Sequence, residues 1–132
     1  MFDIEICQSR HIVLVRFRGR LTEEDFRSLD VLAGQARGAT EYDCIYDLTH
    51  VDRVDLAADF VAKRGSLPQA FKDRERIYVV PQDDLKLLVR LYASYQEAQG
   101  WRPPAIVETL DEALNKLSVA LSEFRVEARP DA

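Results

Sequence analysis

The sequence predicts a single α/β domain: a mixed five-stranded sheet, formed by an N-terminal hairpin and then parallel strands, with about four helices. Three observations predict it. A length of 132 residues suits one domain with one real core and leaves little room for two. Short apolar runs, the first with a period of two, alternate with stretches whose apolar residues recur at helical spacing. Strands that alternate with helices imply parallel pairing, because each crossover helix returns the chain to the same sheet.

Phe2, Ile4 and Ile6 alternate with Asp3, Glu5 and Cys7, which predicts a strand with one buried face. Residues 8–11 are a polar break, and the apolar run from Ile12 to Phe17 completes a hairpin. Arg16 and Arg18 fall on one side near the end of this second strand, so that side meets water there. Gly19 allows a sharp exit. Thr22, Glu23, Glu24 and Asp25 then open a helix: the Thr hydroxyl can accept from free first-turn amides, and the acids suit the positive helix end. Phe26, Leu29, Leu32, Ala33 and Ala36 give it a core-facing stripe, and Gly38 stops it.

Residues 42–48 are apolar on nearly both sides and predict a central third strand. A second helix is expected over about residues 55–64, with Leu56 and Phe60 inward and Gly65 at its end. Residues 66–71 read either as loop or as a short helical turn packed through Leu67 and Phe71. Residues 77–80 are a fourth strand, which Pro81 closes because proline cannot donate to a ladder. The third helix opens at Asp83 or Asp84, runs to about Gln99 and stops at Gly100. Pro103 and Pro104 precede a fifth strand over residues 105–107. Thr109 and Glu112 form a capping box for a last helix striped by Leu110, Leu114, Leu117, Leu121 and Phe124. The domain is expected to span residues 1–126, with 127–132 a frayed tail.

Composition excludes several classes of function. A net charge of -5 argues against a nucleic-acid footprint, which needs a basic patch. No apolar run approaches the roughly 18 residues of a membrane span. Residues 1–5 lack the basic and apolar regions of a signal peptide, so a cytoplasmic protein without membrane insertion is expected. Cys7 and Cys44 lie in strand-like apolar runs and read as buried thiols. His11 and His50 have no partner at metal-ligand spacing, and no catalytic template or Gly-rich phosphate loop occurs. Neither a cofactor nor an enzymatic activity is expected.

Three segments, in order, carry a family resemblance. They are residues 17–22, a strand leaving through Gly19 into a helix opened by Thr22; residues 45–55, a strand-to-helix passage ending in Asp55; and residues 76–80, followed after a helix by Thr109, Leu110, Asp111, Glu112, Ala113 and Leu114. Together they resemble the STAS domains and, within them, the SpoIIAA-like branch, which is similar in fold to the CRAL-TRIO lipid-binding domains. Anti-sigma-factor antagonists among STAS proteins carry Asp-Ser-Ser/Thr-Gly at the start of the second helix, and its first serine is phosphorylated. Here the matching residues are Asp55, Leu56, Ala57 and Ala58. Leu56 has no hydroxyl, so the serine switch is disfavoured at this position; Ser66, about three turns of helix on, does not replace it.

Two places invite a functional reading. The carboxyl ends of the parallel strands would gather Thr49, His50, Asp52, Asp55, Gln82, Asp83, Glu108 and Thr109 on one rim, the usual crevice of open α/β sheets. Helix capping explains most of these residues, and the acids repel phosphates. His50 with Asp52 or Asp55 is either an acid–base pair, as in a hydrolase, or a surface histidine at a strand end. The third helix is the stronger signal. Leu85, Leu88, Val89 and Tyr92 make a core stripe, but Leu87, Leu91, Tyr95 and Ala98 widen the apolar arc to about 200°, where one sheet needs only ~100°. That flank must meet a neighbouring helix, a second subunit or an apolar ligand, and Trp101 either edges the same surface or plugs its loop. The sequence therefore reads as a non-enzymatic STAS-like regulatory or interaction module that binds a protein partner or itself as a homodimer. The alternative is a carrier or sensor of a small apolar, lipid-like ligand held between the sheet and the second and third helices.

Overall fold

The computed structural model describes residues 1–36, 41–67 and 74–128. Its elements are β1 (Phe2–Cys7), β2 (Ile12–Thr22), α1 (Glu23–Ala36), β3 (Asp43–Asp55), α2 (Ala58–Gly65), β4 (Arg76–Val79), α3 (Asp83–Ala98), β5 (Ala105–Val107), α4 (Leu110–Lys116), a 3₁₀ turn (Leu121–Glu123) and β6 (Arg125–Ala128). The sheet order is β5-β4-β3-β2-β1-β6. The hairpin pairs antiparallel, with Phe2 opposite Phe17 and Cys7 opposite Ile12. The β2–β3, β3–β4 and β4–β5 pairs are parallel, as the strand–helix alternation predicts.

Side-chain alternation along each strand divides the core in two. Phe2, Ile4, Val15, Phe17, Leu48, Tyr78 and Val80 meet Phe26 and Leu29 of α1 and Leu85 and Val89 of α3 on one face. Cys7, Ile12, Leu14, Ile45, Ile77 and Val79 meet Ala113 and Leu114 of α4 with Val119 and Phe124 on the other. A strand buried on both faces reads as continuously apolar, which is why residues 77–80 lack alternation in the sequence, and residues 45–48 nearly do, with the buried Asp47 as the exception. At α1 the expected cap is present: the Asp25 amide donates to Thr22 Oγ1 at 3.3 Å while the Thr22 amide donates to Asp25 Oδ2 at 2.9 Å.

The structure corrects four expectations. Among the described residues the sheet has six strands, because Arg125–Ala128 adds antiparallel to β1 at the edge. Glu127 and Ala128, read as frayed tail, therefore stand in a strand. The apolar residues from Leu110 to Phe124 do not form one helix: α4 ends at Lys116, and Ser118 adopts φ 53, a left-handed conformation that helix cannot continue through. Phe124 is buried as expected, but from a turn, and Leu121 is exposed. Finally, β3 runs to Asp55 and α2 starts only at Ala58, because residues 50–55 pair with the end of β2, Arg18 opposite His50 and Thr22 opposite Asp55. Irregularities in that pairing flank Gly19, whose φ of 69 suits a residue without a side chain. The expected stop at Gly38, Phe71 and residues 129–132 lie outside the described residues.

Candidate functional site

The third-helix flank is built by α3 crossing the sheet beside α2. Leu85 and Val89 are buried, and Leu88 and Tyr92 are half-buried against the sheet core. Leu87 is 65% exposed and Leu91 38%, so both stand on the outer side of the helix. Tyr95 does not join them: it is half-buried against α2, where a Cβ added at Gly65 would lie 2.5 Å from the Tyr95 Cβ. Gly65, expected only as a helix stop, is the last residue of α2 and lets the two helices touch. Trp101 is half-buried, and its backbone N–H donates to the Gln96 carbonyl at 3.1 Å.

Sequence reasoning missed Gln96. This side chain is fully buried, and its Nε2 donates to the carbonyls of Gly65 at 2.6 Å and Leu67 at 2.9 Å, tying the end of α2 to α3. The available signal was its spacing, seven residues after Val89 and eleven after Leu85, which places it on the buried stripe. A polar residue there must find partners, and the free carbonyls at a helix C-terminus supply them.

Between the sheet, α1, α2 and α3 lies a cavity of about 50 Å³, with Phe26, Leu48, Phe60, Tyr78, Leu85 and Tyr92 among its walls. Among the described residues Arg64 is its one charged wall. The guanidinium lies 4.6 Å from the Phe26 ring centre and donates twice to Asp30, at 3.0 and 2.9 Å. Burial pulls the pKa of this group down, but the hydrogen-bonded Asp30 carboxylate and its neighbours outweigh burial, and the net shift is upward. Burial pushes the Tyr78 and Tyr46 phenols above their ordinary range, so both are neutral near pH 7.

The residues of the expected rim do not form one constellation. His50 is exposed on β3 and opens onto a separate cleft of about 310 Å³ on the α4 side of the sheet, shared with Asp3, Glu5, Arg16, Arg18 and Val126. Arg16 bridges Glu5 at 3.4 Å and the buried Asp47 at 3.6 Å. Thr49 closes over Asp47 through its backbone N–H at 3.0 Å. The Asp55 carboxylate is taken by Arg20 across the end of the β2–β3 pair, which leaves it a strand-end ion pair and not a helix cap. Gln82 donates to the carbonyls of Leu48 at 2.8 Å and Val51 at 2.9 Å, bracketing the irregular stretch of β3. Glu108 accepts from Lys86 at 2.9 Å, which holds its carboxyl below the usual range. The Thr109 hydroxyl accepts from the Glu112 amide at 3.2 Å. Among the described residues no group of three His, Cys, Asp or Glu is placed to hold a metal ion, and no helix is long and apolar enough to cross a membrane.

No family model matches the chain, and no curated protein matches it. Among solved structures, it is similar to an uncharacterized protein of the DUF3478 family with a SpoIIAA-like fold from Shewanella loihica PV-4. The two superpose with a TM-score of 0.54 at 22% identity, over 89% of this chain and 92% of that one. Coverage of nearly all of both chains extends the likeness to the whole domain, and what it shows is the fold: this chain is a mixed α/β domain of SpoIIAA-like architecture.

Proposed function

We propose that this SpoIIAA-like domain is a non-enzymatic interaction module that binds protein through the outer face of α3, first of all a second copy of itself. The observation that carries the reading is the exposure of Leu87 and Leu91 on a helix whose other large apolar residues are already used. Fully burying an exposed leucine contributes roughly 1.5–3 kcal/mol, and Leu87 and Leu91, 65% and 38% exposed, can gain only that fraction of it before the cost of association. Position 56 offers this module no phosphoserine, since Leu56 has no hydroxyl and packs half-buried against the sheet core. Leu91→Glu tests the reading by sedimentation velocity together with thermal melting. Loss of self-association at an unchanged Tm is expected; an unchanged sedimentation profile refutes it.

A second reading has its own observation. The cavity among the sheet, α1, α2 and α3 is where a small apolar ligand would sit. Its volume of about 50 Å³ is a third of the ~150 Å³ that holds benzene in an engineered apolar cavity, so a lipid-sized guest requires α2 to move outward. Native mass spectrometry with organic extraction decides this. A retained apolar molecule favours a carrier, whereas protein of the bare chain mass counts against one.

A further inference from the structure

The leucines alone do not say how a second copy would lie. Pairing Leu87 with the partner's Leu91, Leu87 with Leu87 in parallel, and Leu87 with Leu87 in antiparallel all cover apolar surface. The charges on the flank of Leu87 away from Leu91 distinguish them; Asp84, also exposed, lies on the Leu91 flank. With a rise of ~1.5 Å and a turn of ~100° per residue, Asp83 lies about 6 Å before Leu87 and Arg90 about 4.5 Å after it. Both are displaced to the same flank of Leu87, by about 40° and about 60°. Asp83 is fully exposed; among the described residues its one ion-pair contact is Lys86 Nζ at 4.0 Å, and that ammonium is held closer by Glu108 at 2.9 Å. Arg90 is exposed, and among the described residues no acid lies within ion-pair distance of it.

A two-fold axis parallel to α3 sets each charge level with its own copy but on the opposite flank of the contact, so no acid meets a guanidinium. An axis perpendicular to the helices reverses one of them and keeps the flank, so each acid meets a guanidinium. With that axis through Leu87, Arg90 stands within about 2 Å of the level of the partner's Asp83, on the same side of the contact. Moving the axis toward Val89, which would centre all four leucines, carries Arg90 away from the acid. We infer that the exposed face of α3 takes a second copy of this chain in antiparallel orientation, crossing at Leu87, with Arg90 of each copy paired to Asp83 of the other. The inference rests on the self-association proposed above and adds its arrangement.

Variants with one added cysteine read the arrangement directly, with the wild type as control for the native Cys7 and Cys44. Under mild oxidation Leu87→Cys is expected to give a covalent dimer, because its Cβ atoms face each other across the axis, and Leu91→Cys is expected to stay uncrosslinked. Arg90→Asp and Asp83→Arg should each raise the dimer Kd at least tenfold, and the double exchange should restore it. A dimer in which Leu87→Cys does not crosslink, or Leu91→Cys does, overturns the arrangement while self-association stands. So does a dimer whose double exchange is no tighter than the single variants. A wild type that is monomeric at every concentration overturns both.

Discussion

Gly65 shows what a single residue can hide. Its place at a helix end was legible, because glycine commonly closes helices, but its need was not. The reason lies 30 residues away in the Tyr95 Cβ, which any side chain at position 65 would strike. Gly65→Ala should therefore destabilise the fold by roughly 1–3 kcal/mol in chemical denaturation, against the small gain that replacing glycine in a helix usually brings. Gln96→Leu should cost a similar ~1–3 kcal/mol, because it leaves the Gly65 and Leu67 carbonyls without their donor. Cys7 is buried as expected, whereas Cys44 is only half-buried; desolvation still pushes the Cys44 thiol from 9.0 up to about 11. The folded state holds that proton more tightly than the unfolded chain. Its contribution to stability is complete below pH 9 and is lost as pH rises toward 11, at up to ~1.4 kcal/mol per pH unit for this group. Tyr46 and Tyr78, raised from 10.0 by burial, act in the same direction. Thermal melts from pH 8 to pH 11 should show a falling Tm, and a flat profile would contradict the burial of these groups.

Among elements, those set by local pattern were legible and those set by pairing were not. The 14-residue α1 declares itself through its cap and apolar spacing, and the 16-residue α3 through the acids of its first turn and its apolar spacing. The boundary between β3 and α2 escaped because Asp55 suits a helix start, while its actual place depends on pairing with Thr22 and on Arg20. The C-terminal stretch escaped for a related reason. Leu110, Leu114, Leu117, Leu121 and Phe124 keep a helical period, yet Ser118 turns the chain, and residues 125–128 find hydrogen-bond partners on β1 that no local pattern announces. Deleting residues 125–132 should therefore lower the Tm and leave β1 as a bare edge prone to association. A deletion that melts like the full chain would show that β6 adds nothing. On α3 the contrast of two leucines tests the direction of the helix. Leu85→Glu puts a charge in the core and should cost several kcal/mol, whereas Leu91→Glu should leave the melt unchanged.

At the scale of the molecule, the fold class followed from length and from the succession of strands and helices, and its SpoIIAA-like architecture stands in the superposition. The candidate site was legible in part. Leu87 and Leu91 are exposed on α3, Tyr95 is claimed by α2, His50 faces a different cleft, and Asp55 is bound to Arg20. A periodicity argument gives the width of an apolar arc but not how much of it a neighbouring helix takes, and here α2 takes the Tyr95 edge. What is left is narrow, so the association it drives should be weak and dependent on concentration. The most direct measurement is sedimentation equilibrium of the wild-type chain across a wide concentration range, beside Leu87→Glu. A monomer–dimer equilibrium that the substitution abolishes without lowering the Tm is the result this account predicts, and a wild type that sediments as a monomer throughout contradicts it.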